Sequence, residues 1–409
     1  MAEALYSSSF CRRFETYDKR CMNKISKLYQ KAVRVQVVVC GLLFSIFSFV
    51  YLYVFQQDVL EALHFSLAHG KTHFSPIGSA LVMTLTLLLL NWGVNALVRL
   101  RGKNRSLAYL PSFFVLMAMT NVDHDVYMNG GNTVWLWLLP LLIAGFTGIA
   151  FGLKKIARLK VNTTTTIWGL LGCNLFYLLV GSVLTVSVGN NDTNFHHELQ
   201  LERFLRNKDF TQAAKVGQHS LEASRTLTAL RSLALSNMGQ MGEKLFTYPQ
   251  YYGADGLFLS TDSLSILRYT NDSIYKHLGD RPYSGGDNLI YLSNLCYEDR
   301  GRFTALDYYL SALLLEKQVD KFAEEICNFY ELGDSLPIHY KEAILIYQST
   351  HKEYPFAVDD SLLMNKFMSY SSKRSQFKSK IEEKNQMRRE YGDTYWWYFH
   401  YQEKNTHRK

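Results

Sequence analysis

The stretch Ile77–Arg105, IGSALVMTLTLLLLNWGVNALVRLRGKNR, decides the architecture. Ile77–Val98 carries no charge. At about 1.5 Å per residue, a helix of that length crosses a bilayer core roughly 30 Å thick. Arg99, Arg101, Lys103 and Arg105 follow at once. Such a cluster marks the cytoplasmic end of a span.

Working outward, Val33–Phe55, Val134–Leu153 and Ile167–Val188 are equally apolar and long enough to cross. A fifth run, Leu107–Thr120, is borderline by length. Charge decides its case. Lys154, Lys155, Arg158 and Lys160 form a second short basic loop. The two basic loops share one side only if Leu107–Thr120 and Val134–Leu153 both cross. Loops 56–76 and 121–133 are poor in Lys and Arg, as outer loops are. A third basic flank, from Arg12 to Arg34, precedes the first run. Five spans follow, with the N-terminus inside and the large C-terminal domain outside. A merely re-entrant Leu107–Thr120 would instead leave that domain in the cytoplasm. The first run is not a cleaved signal peptide, because its leader is too long and no small-residue cleavage site follows.

The 409 residues therefore divide into a basic segment 1–32, a membrane domain 33–188 and an outer domain 189–409. The net charge of +8 belongs to the membrane flanks, and no motif spaced like a nucleic-acid reader accompanies it. No Cys-x-x-Cys pair occurs among the six cysteines, so a zinc ribbon or redox motif is unsupported. Cys296 and Cys327 could pair in an oxidising compartment or remain as two buried thiols.

Beyond Val188 the pattern becomes amphipathic helices broken by short polar turns, with no long alternation of the β type. Asn207-Lys208-Asp209-Phe210 leads to Ala213 and Ala214, and Gly301-Arg302-Phe303 leads to Ala305. Tyr340-Lys341-Glu342-Ala343 opens another apolar set. Small residues at such points let paired helices approach closely, as in tetratricopeptide-like hairpins. The fold class is all-α: about five transmembrane helices, then a tetratricopeptide-like α-solenoid, with an unrelated helical bundle as the alternative. The aromatic tail Gly392–Phe399 reads first as packing between helices, and otherwise as a partner-binding or membrane-resting surface.

Two segments carry a family resemblance. Leu233–Met241 runs into Leu245-Phe246 and the Tyr251-Tyr252-Gly253 loop, and Gly392–Tyr398 is a second echo. Together they resemble an uncharacterised family of inner-membrane proteins from Bacteroidota, known only as a domain of unknown function. The resemblance implies a Gram-negative inner membrane with the outer domain in the periplasm. It implies no activity.

No phosphate-binding loop, HExxH zinc motif or GxSxG elbow is present. The most suggestive polar groups lie at the outer ends of the first and third spans: Asp58 and His64, then Asp123, His124 and Asp125. Carboxylates and imidazoles gathered there could serve as general acid and base. Asp58 stands where multi-spanning glycosyltransferases acting on lipid-linked sugars carry a carboxylate, although those enzymes have many more spans. As ordinary loop ends, the same residues would simply be solvated. The preferred functional expectation is a membrane-anchored envelope scaffold that presents its helical domain to a protein partner. The alternative is an envelope enzyme acting on a lipid-linked sugar. Neither reading calls for a cofactor or a resident metal.

Overall fold

The structure, a computed structural model, describes residues 30–68, 71–100, 102–122, 133–159, 167–218, 220–260, 269–283, 286–298, 300–331, 335–355, 358–374 and 376–404. Among these residues there is helix and no strand. The chain forms two compact units, Met1–Asn191 and Asp192–Lys409.

In the first unit, helices α1 (Gln30–Phe55), α3 (Pro76–Val98) and α6 (Ile167–Val188) are joined by α2 (Gln57–Ala68), α4 (Leu110–Thr120) and α5 (Thr133–Leu159). Four helices, α1, α3, α5 and α6, are long and apolar enough to cross a membrane. Their surfaces are inverted relative to a water-soluble bundle. Leu97, Trp137 and Trp168 are more than four-fifths exposed, and Val38, Ile46, Leu89 and Phe176 also face outward. Such a continuous apolar exterior suits lipid as solvent.

The borderline run has an unexpected form. Gly102–Tyr109 winds as a 3-10 helix and passes directly into α4. A 3-10 helix rises about 2.0 Å per residue, so the whole segment reaches roughly 30 Å, comparable with a bilayer core. Asn174 of α6 holds its start: its Oδ1 accepts from Ser106 N–H at 2.8 Å, and its Nδ2 donates to the Gly102 carbonyl at 3.2 Å. At mid-length Phe113 lies against Gly181, where a Cβ would stand 2.5 Å from the ring. At the far end Asn190 N–H donates to the Thr120 carbonyl at 2.8 Å. Residues 102–120 thus run alongside α6 in the same direction. Helix α1 is parallel to both, since Phe44 packs edge-on against Phe113 and Tyr51 Oη reaches Thr120. Helices α3 and α5 run the opposite way. Ser112 Oγ donates to the Leu87 carbonyl, while Val98 and Ala108 cluster with Phe146 and Ala150.

The second unit is built on two helices buried along almost their whole length, α9 (Arg225–Asn237) and α13 (Phe303–Leu315). Around them lie α7 (Thr193–Arg206), α8 (Phe210–Lys215), α10 (Met241–Lys244), α11 (Asn271–Leu278), α12 (Asn288–Tyr297) and α14 (Val319–Phe329). Side-chain caps set several of the helix starts. Asp192, Asp209, Ser224, Asp287 and Thr394 each accept from a first-turn N–H. From α12 through α13 and α14 to α15 (Ile338–Thr350), each helix packs on its predecessor. The chain then continues through α16 (Ser361–Arg374) and α17 (Lys380–Tyr391) to the tail helix α18 (Tyr395–Tyr401).

Helix α18 settles the role of the aromatic tail. Tyr395, Trp396, Trp397 and Tyr398 are all buried. Phe246 touches His339, Tyr395 and Tyr398, and Tyr398 Oη donates to the Leu315 carbonyl at 2.6 Å. The tail therefore packs between helices and closes the row of pairs back onto its own core. Cys296 and Cys327 are free thiols, but neither is buried: Cys296 is half-buried and Cys327 exposed. Cys327 faces outward because α14 turns Phe322, Ala323 and Ile326 inward instead.

Candidate functional site

Asp58 lies in the first turn of α2 and is half-buried, while Val59, Leu60 and Glu61 beside it are buried. A carboxylate there faces the positive end of the helix dipole, a favourable placement independent of any chemistry. His64 stands further along the same helix, its Nε2 3.0 Å from Thr72 Oγ1 and its ring against Phe74. Asp123, His124 and Asp125 lie outside the described residues. Among the described residues, no group of three or more His, Cys, Asp or Glu is placed to hold a metal ion.

At the start of α2 the structure gathers a set of amides that join the ends of α1, α4 and α6. The last turn of α1, Tyr51–Phe55, is π-helical, and the Gln56 N–H closes it on the Tyr51 carbonyl. Gln56 Nε2 then donates to the Asn190 carbonyl at 2.9 Å. Asn190 Nδ2 reaches the Val122 carbonyl, and Asn121 Nδ2 the Val188 carbonyl at 2.6 Å. Trp135 Nε1 donates to Asn121 Oδ1 at 2.9 Å. Helix ends leave carbonyls without intrahelical partners, and these amides supply donors at the ends of the α4 and α6 segments. The signal was present in the sequence, because Gln56, Asn121 and Asn190 each follow an apolar run directly. The collar is an anchor for helix ends and contains no nucleophile.

Two open clefts of the second unit are walled by segments distant in sequence. One, of about 340 Å³, lies between the segment Phe246–Gln250 and the tail region Arg388–Gln402. Tyr248 and Pro249 form one wall; Arg388, Arg389 and Trp397 form the other. The guanidinium of Arg388 stacks over the Trp397 ring at 5.2 Å. Behind Tyr248, at 4.4 Å from its ring, lies the buried guanidinium of Arg231, which also donates to the Val216 carbonyl at 2.7 Å. Burial lowers the Arg231 pKa to about 10, against an opposing pull from Tyr248. The wall thus combines aromatic faces with planar cations, the composition enriched at protein interfaces.

The other cleft, of about 410 Å³, includes Tyr370, Arg374, Glu383 and His400. His400 Nδ1 lies 2.8 Å from Tyr370 Oη and 2.9 Å from the Trp396 carbonyl. Burial first, and the Arg374 charge second, lower its pKa to about 4. A perturbed imidazole in a cleft is a recognised pointer to chemistry. Here the Tyr370 contact belongs to the packing of α18 on α16, and the Trp396 contact lies within α18 itself. Deeper in the unit, His339 Nδ1 pairs with Glu342 at 2.9 Å, and the same carboxylate oxygen accepts from Tyr395 N–H at 2.7 Å. Both residues are about 1% exposed, so this pair fastens the tail and meets no solute.

The Phe246–Gln250 wall overlaps one segment that carries the sequence resemblance, and the Gly392–Tyr398 tail is the other. No curated protein and no solved structure matches the chain. A family model does match, over residues 184–284 and 283–402. Those ranges cover more than half of the sequence and take in the whole cleft between Phe246 and Gln402. The chain belongs to the family of unknown function DUF6057.

Proposed function

We propose that the protein is a membrane-anchored assembly factor of a bacterial inner membrane, holding a helical domain ready for an envelope protein partner. The observation that carries this reading is the cleft in which Tyr248, Pro249, Arg388, Arg389 and Trp397 face one another. Aromatic and arginine side chains held on packed helices are the usual anchors of polypeptide recognition. The successive packing of α12 through α15 supports a tetratricopeptide-like arrangement, an architecture that mostly binds polypeptides, although fold alone assigns no function. Five crossings, counting residues 102–120, place the N-terminus in the cytoplasm and Asp192–Lys409 in the periplasm of a Bacteroidota-like cell. The roughly 30 Å reach of that segment supports this topology, as do the basic loops 99–105 and 154–160.

A photocrosslinking residue at Arg389, exposed on the cleft wall, tests the assignment against one at Leu362, which is 82% exposed elsewhere. In intact cells the first should give one discrete heteromeric adduct, and the second should not. Equal adducts from both positions, or none from Arg389, would overturn the cleft as the docking site. An alkaline-phosphatase fusion after Gly189 should be active, and an inactive fusion would reverse the topology.

A further inference from the structure

The opposite end of the membrane unit from the amide collar holds a cavity of about 100 Å³, mostly apolar with a few polar groups set into its wall. It is enclosed by α1, α3 and the 3-10 segment 102–109, and Gln36, Asn91, Asn95, Arg105 and Ser106 line it. Gln36 is only 1% exposed, and its Oε1 has no hydrogen-bond partner. Asn95 Oδ1 is likewise buried and unmet. An unmet buried acceptor costs about 1–3 kcal/mol. Two of them lining one cavity, in a helix bundle with a lipid-facing exterior, mark a place suited to receive hydrogen bonds.

Arg105 adds the opposite demand. Its guanidinium lines the same cavity, and no acidic side chain is among the described residues that do. A cation there calls for an anion. The depth is also informative. Trp92, another lining residue, is 72% exposed, so the cavity reaches the lipid-facing side of α3. Indole rings settle at headgroup level, and Arg99 and Lys103 flank the same end of the bundle. Water would satisfy the two amide oxygens but would leave Arg105 without a counter-charge.

A phosphate that also carries hydrogen-bond donors answers both demands at that depth, and a charged donor answers the second most strongly. We propose that this cavity binds the phosphoethanolamine headgroup of a bilayer lipid, with phosphate oxygens at Arg105 and the ammonium donating to Gln36 and Asn95. A choline headgroup offers the phosphate but no N–H donor. A glycerol headgroup offers hydroxyls but no second charge.

Full-length protein in detergent would be titrated with phosphatidylethanolamine, phosphatidylcholine and phosphatidylglycerol of matched acyl chains, and separately with soluble phosphoethanolamine. Thermal unfolding midpoint and native mass spectrometry are the readouts. Phosphatidylethanolamine should raise the midpoint most and remain bound. Arg105→Gln should weaken its binding by about tenfold or more, because charged hydrogen bonds are lost. Gln36→Leu should erase the preference for ethanolamine over choline. Equal stabilisation of the native chain by both lipids would overturn the proposal without recourse to any variant. Preference for phosphatidylglycerol would overturn the ammonium assignment. A response to soluble phosphoethanolamine with none to the lipid would overturn the lipid source.

Discussion

Asp58 and His400 are the residues whose appearance most invites a catalytic role, and their surroundings argue for structural ones. Asp58 is half-buried in the first turn of α2, where the helix dipole favours a carboxylate by about 0.3–2 kcal/mol. Asp58→Asn should therefore leave genetic complementation intact, with membrane abundance checked by immunoblot. Complete loss of function at normal abundance would reinstate the envelope-enzyme reading. For His400 the direction of the shift sets the pH dependence. The unfolded imidazole titrates near 6.5 and the folded one at about 4. Between those values the unfolded chain binds more protons, so stability is whole above about pH 6.5 and is lost as pH falls toward 4. His197 and His277 are lowered as well, by burial first and then by Arg231 and Arg302 respectively, and they act in the same direction. Chemical denaturation from pH 7.5 to 4 should show the decline, and His400→Phe should flatten part of it. An unchanged slope would refute the assignment to His400.

At the level of elements, α13 is the most sensitive place in the second unit. Ala305 is 1% exposed, and a Cβ on Gly301 would already stand 3.0 Å from its side chain. Ala305→Glu forces a carboxylate into that contact and should destabilise the unit by several kcal/mol. Limited proteolysis of membranes should then cleave the variant where the parent resists. The contrast with Asp58→Asn in one complementation assay separates a scaffold from an enzyme. Sequence made α13 legible because its turn, Gly301-Arg302-Phe303, and its apolar run announce a helix. It did not make α9 equally legible. Arg231, Thr228 and Ser232 are polar, yet all three are buried, with Arg231 lodged under Tyr248. Likewise, residues 99–105 read as a basic loop before a short run that begins at Leu107, whereas residues 102–109 form one 3-10 helix. Their 3-10 winding is held by Asn174, a partner 68 residues away that no local pattern announces. The catalytic candidates were chosen for residue type and for their place at the outer ends of spans, whereas the collar amides and the cleft walls are assembled by packing between distant segments.

For the whole molecule, each unit carries its own core, so residues 192–409 should fold without the spans. A fragment beginning near Asp192 should be soluble, strongly helical by circular dichroism and cooperative on heating. A β-dominated spectrum from folded material would contradict the architecture. The closing role of α18 has a consequence in time. Ribosomes lay down about 80 residues between Leu315 and Tyr395, which at roughly 5–20 residues per second takes on the order of 4–16 s. Throughout that interval Phe246 lacks its Tyr395 and Tyr398 neighbours, and the Leu315 carbonyl lacks the donor that later caps it. A nascent chain already tethered at the bilayer thus carries sticky, half-covered aromatic surface for seconds before its final helix arrives. That delay makes biogenesis, rather than the finished fold, the step at which holdase chaperones and quality-control proteases have the most to act upon.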